Sequence, residues 1–279
     1  MSLIVVASLM AAGAAAPGIG IATGGGGFRI DQANVAGNGT VLEGSLVETG
    51  RGPSEVRIKD GADLLLGLES RGRVFRGRLV LERGTAEVQA QQQPYGVEAT
   101  GLRVLAAGNA RAQVSLVGPE RLQVAALAGG VRVTTAAGLL LAEVPEGRAL
   151  EFAVQDAGAA PPTTLTGKVV ESHGHYLLTD DTAGITVELK GPNLAQLVGK
   201  RVEVTGTLDT AAQPAAGATH VLAVTGTRVL GATAAPTATA AAGMSLATKA
   251  VIAGVVIAGA AAGTAIGLTR GSEKQSISR

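Results

Sequence analysis

The chain has 279 residues, 23 Lys and Arg against 22 Asp and Glu, a formal net charge of +1, no cysteine, no tryptophan and 2% aromatic residues. The missing cysteine excludes disulfides, thiolate metal clusters, a cysteine nucleophile and cysteine lipidation. Balanced charge and scarce aromatics argue against nucleic acid as a partner, because phosphates need surplus cations and bases need stacking platforms.

Mean hydropathy is +0.32, and the two ends supply much of it. Residues 3–22, LIVVASLMAAGAAAPGIGIA, carry no charge, and the first charged side chain is Arg29. Such a stretch is long enough to cross a bilayer. It also reads as an export signal, with Ala14, Ala16 and Ala22 small enough for a signal peptidase; Pro17 disfavours a cut after Ala16, and one near Ala22 is only weakly marked. Residues 1–27 are therefore expected to be an export signal or an N-terminal anchor. Gly18, Gly20 and Gly24 imitate a nucleotide-binding turn, but GGGGFRI follows in place of an amphipathic helix.

Residues 28–152 read as β-structure. SEVRIKDG, ADLLLGLES and GRVFRGRLVLERG alternate apolar and polar residues, with Gly or Asp-Gly between them. Many short, evenly spaced strands predict a sandwich or solenoid. The segment holds 14 basic and 14 acidic residues. Arg71, Arg73, Arg76 and Arg78 are read as a solvated strand face that discourages edge pairing, in preference to an anion-binding patch. Residues 153–163 have the composition of a linker. Residues 164–231 predict five strands with a short helix before the fourth, and 232–249 a flexible tether. Residues 250–269, AVIAGVVIAGAAAGTAIGLT, are uncharged between Lys249 and Arg270, which predicts a transmembrane helix. The basic tail 270–279 would then lie in the cytoplasm and the body outside. On that helix Gly259, Gly263 and Gly267 share a face, a spacing that permits helix pairing and a homodimer.

Few residues offer chemistry. His173, His175 and His220 are weighed as a metal site, but Gly174 marks a turn, and no metal is expected. Asp180-Asp181, before Thr182-Ala183-Gly184, fits a hairpin turn better than a carboxylate pair. Asn38-Gly39-Thr40 is read as a turn. No catalytic or cofactor-binding residue is expected.

The run GSLVETGRGPSEVRIKDGADLLLGLESRGRVFRGRLVLERGTAEV resembles the periplasmic domain of FecR-like proteins. The likeness rests on Thr49-Gly50, Asp60-Gly61, Leu64 to Leu68 and Leu81 to Gly84. YGVEATGLRVLAAG and LQVAALAGGVRVTTAAGLLLAEVPEGRALEF look like the family's closing strands. The resemblance implies an all-β, partly solenoidal domain outside the inner membrane. The family's founding members signal to cytoplasmic sigma factors through an N-terminal helical segment, whereas only Met1 and Ser2 precede the apolar run here. The second unit, carried best by Gly199 to Asp209, resembles a small OB-like barrel. Its single aromatic, Tyr176, gives no platform for nucleic acid. Together these readings predict a non-catalytic, membrane-tethered protein of the bacterial inner membrane, its body periplasmic. It would bind or scaffold an envelope protein or cell-wall ligand through its strand edges. The alternative is transmembrane signalling through paired helices.

Overall fold

The computed structural model describes residues 17–59, 61–154, 162–231 and 249–259. In chain order, its strands alternate between two layers. β1 (Gly18–Ile30) and β2 (Ala33–Leu42) form a long hairpin in the first layer. β3 (Ser45–Thr49) pairs with the last three residues of β1 and opens the second layer. β4 (Ser54–Ile58) returns to the first half of β1 and is followed by β5 (Ala62–Leu66). β6 (Arg71–Val74) and β7 (Arg78–Arg83) extend the second layer beside β3. β8 (Thr85–Ala90) joins β5 in the first. β9 (Tyr95–Ala99), parallel to β7, and β10 (Leu102–Ala106) extend the second. β11 (Arg111–Leu116) and β12 (Arg121–Ala128) follow in the first, then β13 (Val131–Thr135) and β14 (Leu140–Val144) in the second. β15 (Ala149–Val154) lies beside β12.

The period-two pattern produces this arrangement. SEVRI in β4 is buried, exposed, buried, exposed, buried, because successive side chains point to opposite faces of a strand. Val56, Leu64, Val88 and Val114 from the first layer share one apolar cluster with Val74, Leu79, Val97 and Val104 from the second, all 2% exposed or less. Each such side chain contributes about 1.5–3 kcal/mol by leaving water. Where β7 passes to β8, Gly84 takes φ +84 and a Cβ there would run into Ser70, so only glycine fits the crossing.

A small closed barrel follows. Its strands are β16 (Thr163–Ser172), β17 (His175–Asp180), β18 (Thr186–Lys190), β19 (Arg201–Asp209) and β20 (His220–Val229). They close in the order β16-β17-β18-β20-β19-β16, with β18 parallel to β20 and every other pair antiparallel. Between β18 and β19 the helix expected from GPNLAQLVGK is one 3₁₀ turn, Leu194–Leu197, which buries Leu194 and Leu197. Leu165, Val169, Leu178, Val187, Val204 and Leu222 are completely buried within the barrel strands.

The predicted transmembrane helix is corrected over its first half. Here the chain forms a hairpin, β21 (Lys249–Ile252) and β22 (Val255–Gly259). β22 pairs with β15, and β21 meets β16 at Thr164 and Val251, so the hairpin joins the first layer to the barrel. Ala250, Ile252 and Ile257 are completely buried. An uncharged run rich in Val and Ile suits a strand covered on both faces as well as it suits lipid. Ala253 and Gly254, both at positive φ, make the two-residue turn that hairpins favour. Gly259 lies opposite Leu150 in the β22–β15 ladder, so it belongs to no helix face. Gly263 and Gly267 lie outside the described residues. Among those residues no helix is long and apolar enough to cross a membrane.

The expected N-terminal segment is also shortened. Residues 18–27 belong to β1, with Ile19 at 2% and Ala22 at 0% exposure. Ala22 sits between Gly39 and Val56 in the ladder. Cleavage there would therefore cut a paired strand. Residues 1–16 lie outside the described part. The β-structure begins ten residues before the expected boundary at 28. The expected linker narrows, since β15 runs to Val154 and β16 starts at Thr163; residues 155–161 are outside the described part.

Candidate functional site

The residues singled out for chemistry are spent on structure. His173, at φ 52, and Gly174 form the β16–β17 turn. His175 Nδ1 lies 2.9 Å from Glu188 Oε1. His220 Nε2 donates to the Leu140 carbonyl at 2.7 Å, across to the layered unit. His173 Nδ1 lies 3.1 Å from Ser172 Oγ, so the three histidines have three different partners, and no group of His, Cys, Asp and Glu among the described residues is arranged to hold a metal ion.

Asp180 and Asp181 have separate tasks. Asp180 is 1% exposed and accepts backbone N–H bonds from Thr166 (2.8 Å), Thr182 (2.9 Å) and Ala183 (2.7 Å). Burial pushes its pKa up, against the pull of those three donors. Asp181 pairs with Arg201 at 2.8 Å. The turn expected of this stretch is present, and Asp180 holds it from inside.

Three of the four arginines, Arg71, Arg73 and Arg78, lie on β6 and β7, and Arg76 falls in the turn between them. β6 lies between β3 and β7, and β7 between β6 and β9, so the expected guard against edge pairing is corrected: neither strand is an edge. Arg71 meets Glu48 (3.3 Å) and Glu82 (2.8 Å), Arg73 meets Glu82 (3.1 Å), and Arg78 meets Glu98 (3.4 Å). Arg78 also lies 4.4 Å from the Phe75 ring centroid. Three carboxylates face Arg71, Arg73 and Arg78, with Glu82 shared by Arg71 and Arg73 and Glu98 shared by Arg78 and Arg103.

Glu188 is a feature that sequence reasoning missed. Its side chain is 4% exposed. Oε1 faces His175, and Oε2 accepts the Ala215 N–H at 2.8 Å, tying the loop 210–219 to β18. The His175 bond holds the carboxyl below its ordinary range, helped by the Ala215 N–H and by Lys190, against the opposing effect of burial. The alternation of β18 gives no hint of it, because a buried Glu breaks the pattern.

The reading of Asn38-Gly39 as a turn is corrected, and the correction exposes the most distinctive surface. These residues lie inside β2, while the β1–β2 turn falls at Asp31-Gln32, with φ 49 and 70. The Asp31 carboxylate accepts from Ser45 Oγ and from the Leu46 N–H, both at 2.8 Å, and so holds a left-handed turn that Asn-Gly more often makes. β2 is 10 residues long, ANVAGNGTVL, without charge or proline, and most of it is exposed. Among the described residues it pairs with β1 alone. Beside it, on the outer face of the first layer, lies an open groove of about 660 Å³ over the glycine-rich start of β1. Ile21, Thr23, Thr40, Glu55, Arg57 and Lys59 line it. Ile21 is 55% exposed, and Arg57 is engaged by Glu55 and Asp63. The uncharged run 33–42 was the sequence signal that could have revealed this edge.

No known family model matches the chain, and no curated protein matches it.

Proposed function

We propose that the protein is a non-catalytic binding or scaffolding module of the bacterial envelope, exported so that its β-body stands in the periplasm. The observation that carries the reading is the bare edge of β2, with the groove beside it. Natural sheets blunt their edges with charges, prolines or coverings, and a long uncharged edge offers backbone hydrogen bonds to an added strand. One-sided register shifts in β1, between Gly18 and Gly20 and between Gly24 and Phe28, bend this edge without closing it. In this reading the layered unit is FecR-like and the barrel OB-like. The closure order and the short helical turn before the fourth barrel strand support the second likeness. Export rests on the apolar residues before Pro17. The signalling alternative needed a helix carrying Gly259, which pairs in β22, and is not adopted.

The test has two parts. Protease protection in spheroplasts should leave the body digestible from outside; full protection overturns the location. Affinity capture from envelopes should retain a specific protein or glycan with the native chain and lose it with Thr40→Lys. Equal retention by both chains overturns the role of the edge.

A further inference from the structure

We infer that the partner of the β2 edge is a second copy of this chain, joined by antiparallel β2–β2 pairing into one continuous sheet. This rests on the reading of that edge as a binding surface and names its occupant. Three observations select a second copy. First, the edge carries no charge over Ala33–Leu42, so two copies meet without like-charge repulsion, which opposed strands otherwise suffer. Second, a two-fold contact brings the same patch together twice. An antiparallel pair centred on Asn38 opposite Asn38 uses nearly the whole strand and sets Ala33 of each copy opposite Glu43 of the other.

Third, the flanking charges are complementary. The Arg29 guanidinium lies on the Gln32 carbonyl, with Nη2 3.2 Å and Nε 3.3 Å away. It has no ion pair among the described residues. Among the described residues Glu43 reaches only the Arg76 backbone N–H, at 3.3 Å. Antiparallel pairing therefore carries each Arg29 toward the partner's Glu43, at both ends of the contact. A parallel pair would set Arg29 beside Arg29 and Glu43 beside Glu43. Of the acids at this end, Asp31 is held by Ser45 and Leu46, and Glu48, opposite Arg29 in the β1–β3 ladder, pairs with Arg71 at 3.3 Å. Lys59 and Arg57, in the adjoining groove, lie on β4 and its exit, beyond β1 from the contact.

The experiment uses the purified full chain. Sedimentation velocity should show a concentration-dependent dimer. Thr40→Lys and Arg29→Glu should each weaken it about tenfold or more, and Arg29→Glu combined with Glu43→Arg should restore it. Because the chain has no cysteine, Asn38→Cys should give a covalent dimer on mild oxidation, while Thr207→Cys on the barrel should not. A chain that stays monomeric, with Asn38→Cys uncrosslinked, overturns the inference. So does a dimer that Thr40→Lys leaves intact. If that monomer still captures an envelope component that Thr40→Lys loses, the self-pairing fails and the binding edge stands; if capture is also unaffected, both fail.

Discussion

The two ends of the layered unit are finished in opposite ways. At the far end β15 is continued by β22, and β14 abuts the barrel. There Glu143 N–H donates to the Ala183 carbonyl at 2.8 Å, and His220 donates to Leu140. Gly184 packs so tightly on Glu143 that a Cβ would overlap its carbonyl oxygen. At the near end β2 has a neighbour on one side only among the described residues. The far edge is covered by segments about 40 to 110 residues downstream of it, and the near edge is left for a contact outside the fold. Coverage of an edge is thus a tertiary event even where the strand itself is locally encoded.

The largest effect should come from spoiling the far covering. Ile257→Asp places an unpaired carboxylate opposite Phe152 in a completely buried position. It should cost about 3–5 kcal/mol in urea denaturation, enough to detach the hairpin. Asp180→Ala, which leaves three buried N–H groups without their acceptor, should cost about 2–4 kcal/mol by the same measurement. His220→Ala removes one bond between barrel and layers, and thermal unfolding should show a loss of about 1 kcal/mol. At the near end Thr40→Lys touches an exposed strand position. It should change stability by less than about 0.5 kcal/mol while abolishing edge binding.

Acid provides the mildest probe. Glu188 has a folded pKa below its unfolded one, so its contribution is complete above the ordinary carboxylate range. It fades as the pH falls through the lowered value. Hydrogen exchange at the Ala215 amide, which Glu188 holds, should accelerate over that acid interval before the core strands exchange. Glu188→Gln should remove the dependence.

Parts of the candidate surface were legible beforehand and parts were not. The lack of charge and proline in 33–42 stands in the sequence, but Asn38-Gly39 carries the strongest local turn signal there and drew attention from the strand. Asp31-Gln32 turns the chain because of Ser45 and Leu46, 14 and 15 residues away. The groove depends on β4 lying against the start of β1, a pairing across more than thirty positions. Glu188 looked like any solvated acid until β17 and the loop 210–219 closed over it.

By itself the amino-acid pattern determined that this chain is β-structured, where most strands and several tight turns fall, and that its arginines face solvent beside acids. Those properties follow from alternation with period two and from the left-handed backbone of residue pairs such as Thr100-Gly101 and His173-Gly174, both local in the chain. Only the tertiary structure decided that residues 250–259 are a hairpin, that the layers alternate, and which edge is covered. An apolar run satisfies lipid, a helix core and a buried strand alike, and the backbone partner that chooses among them, here β15, lies about 100 residues away.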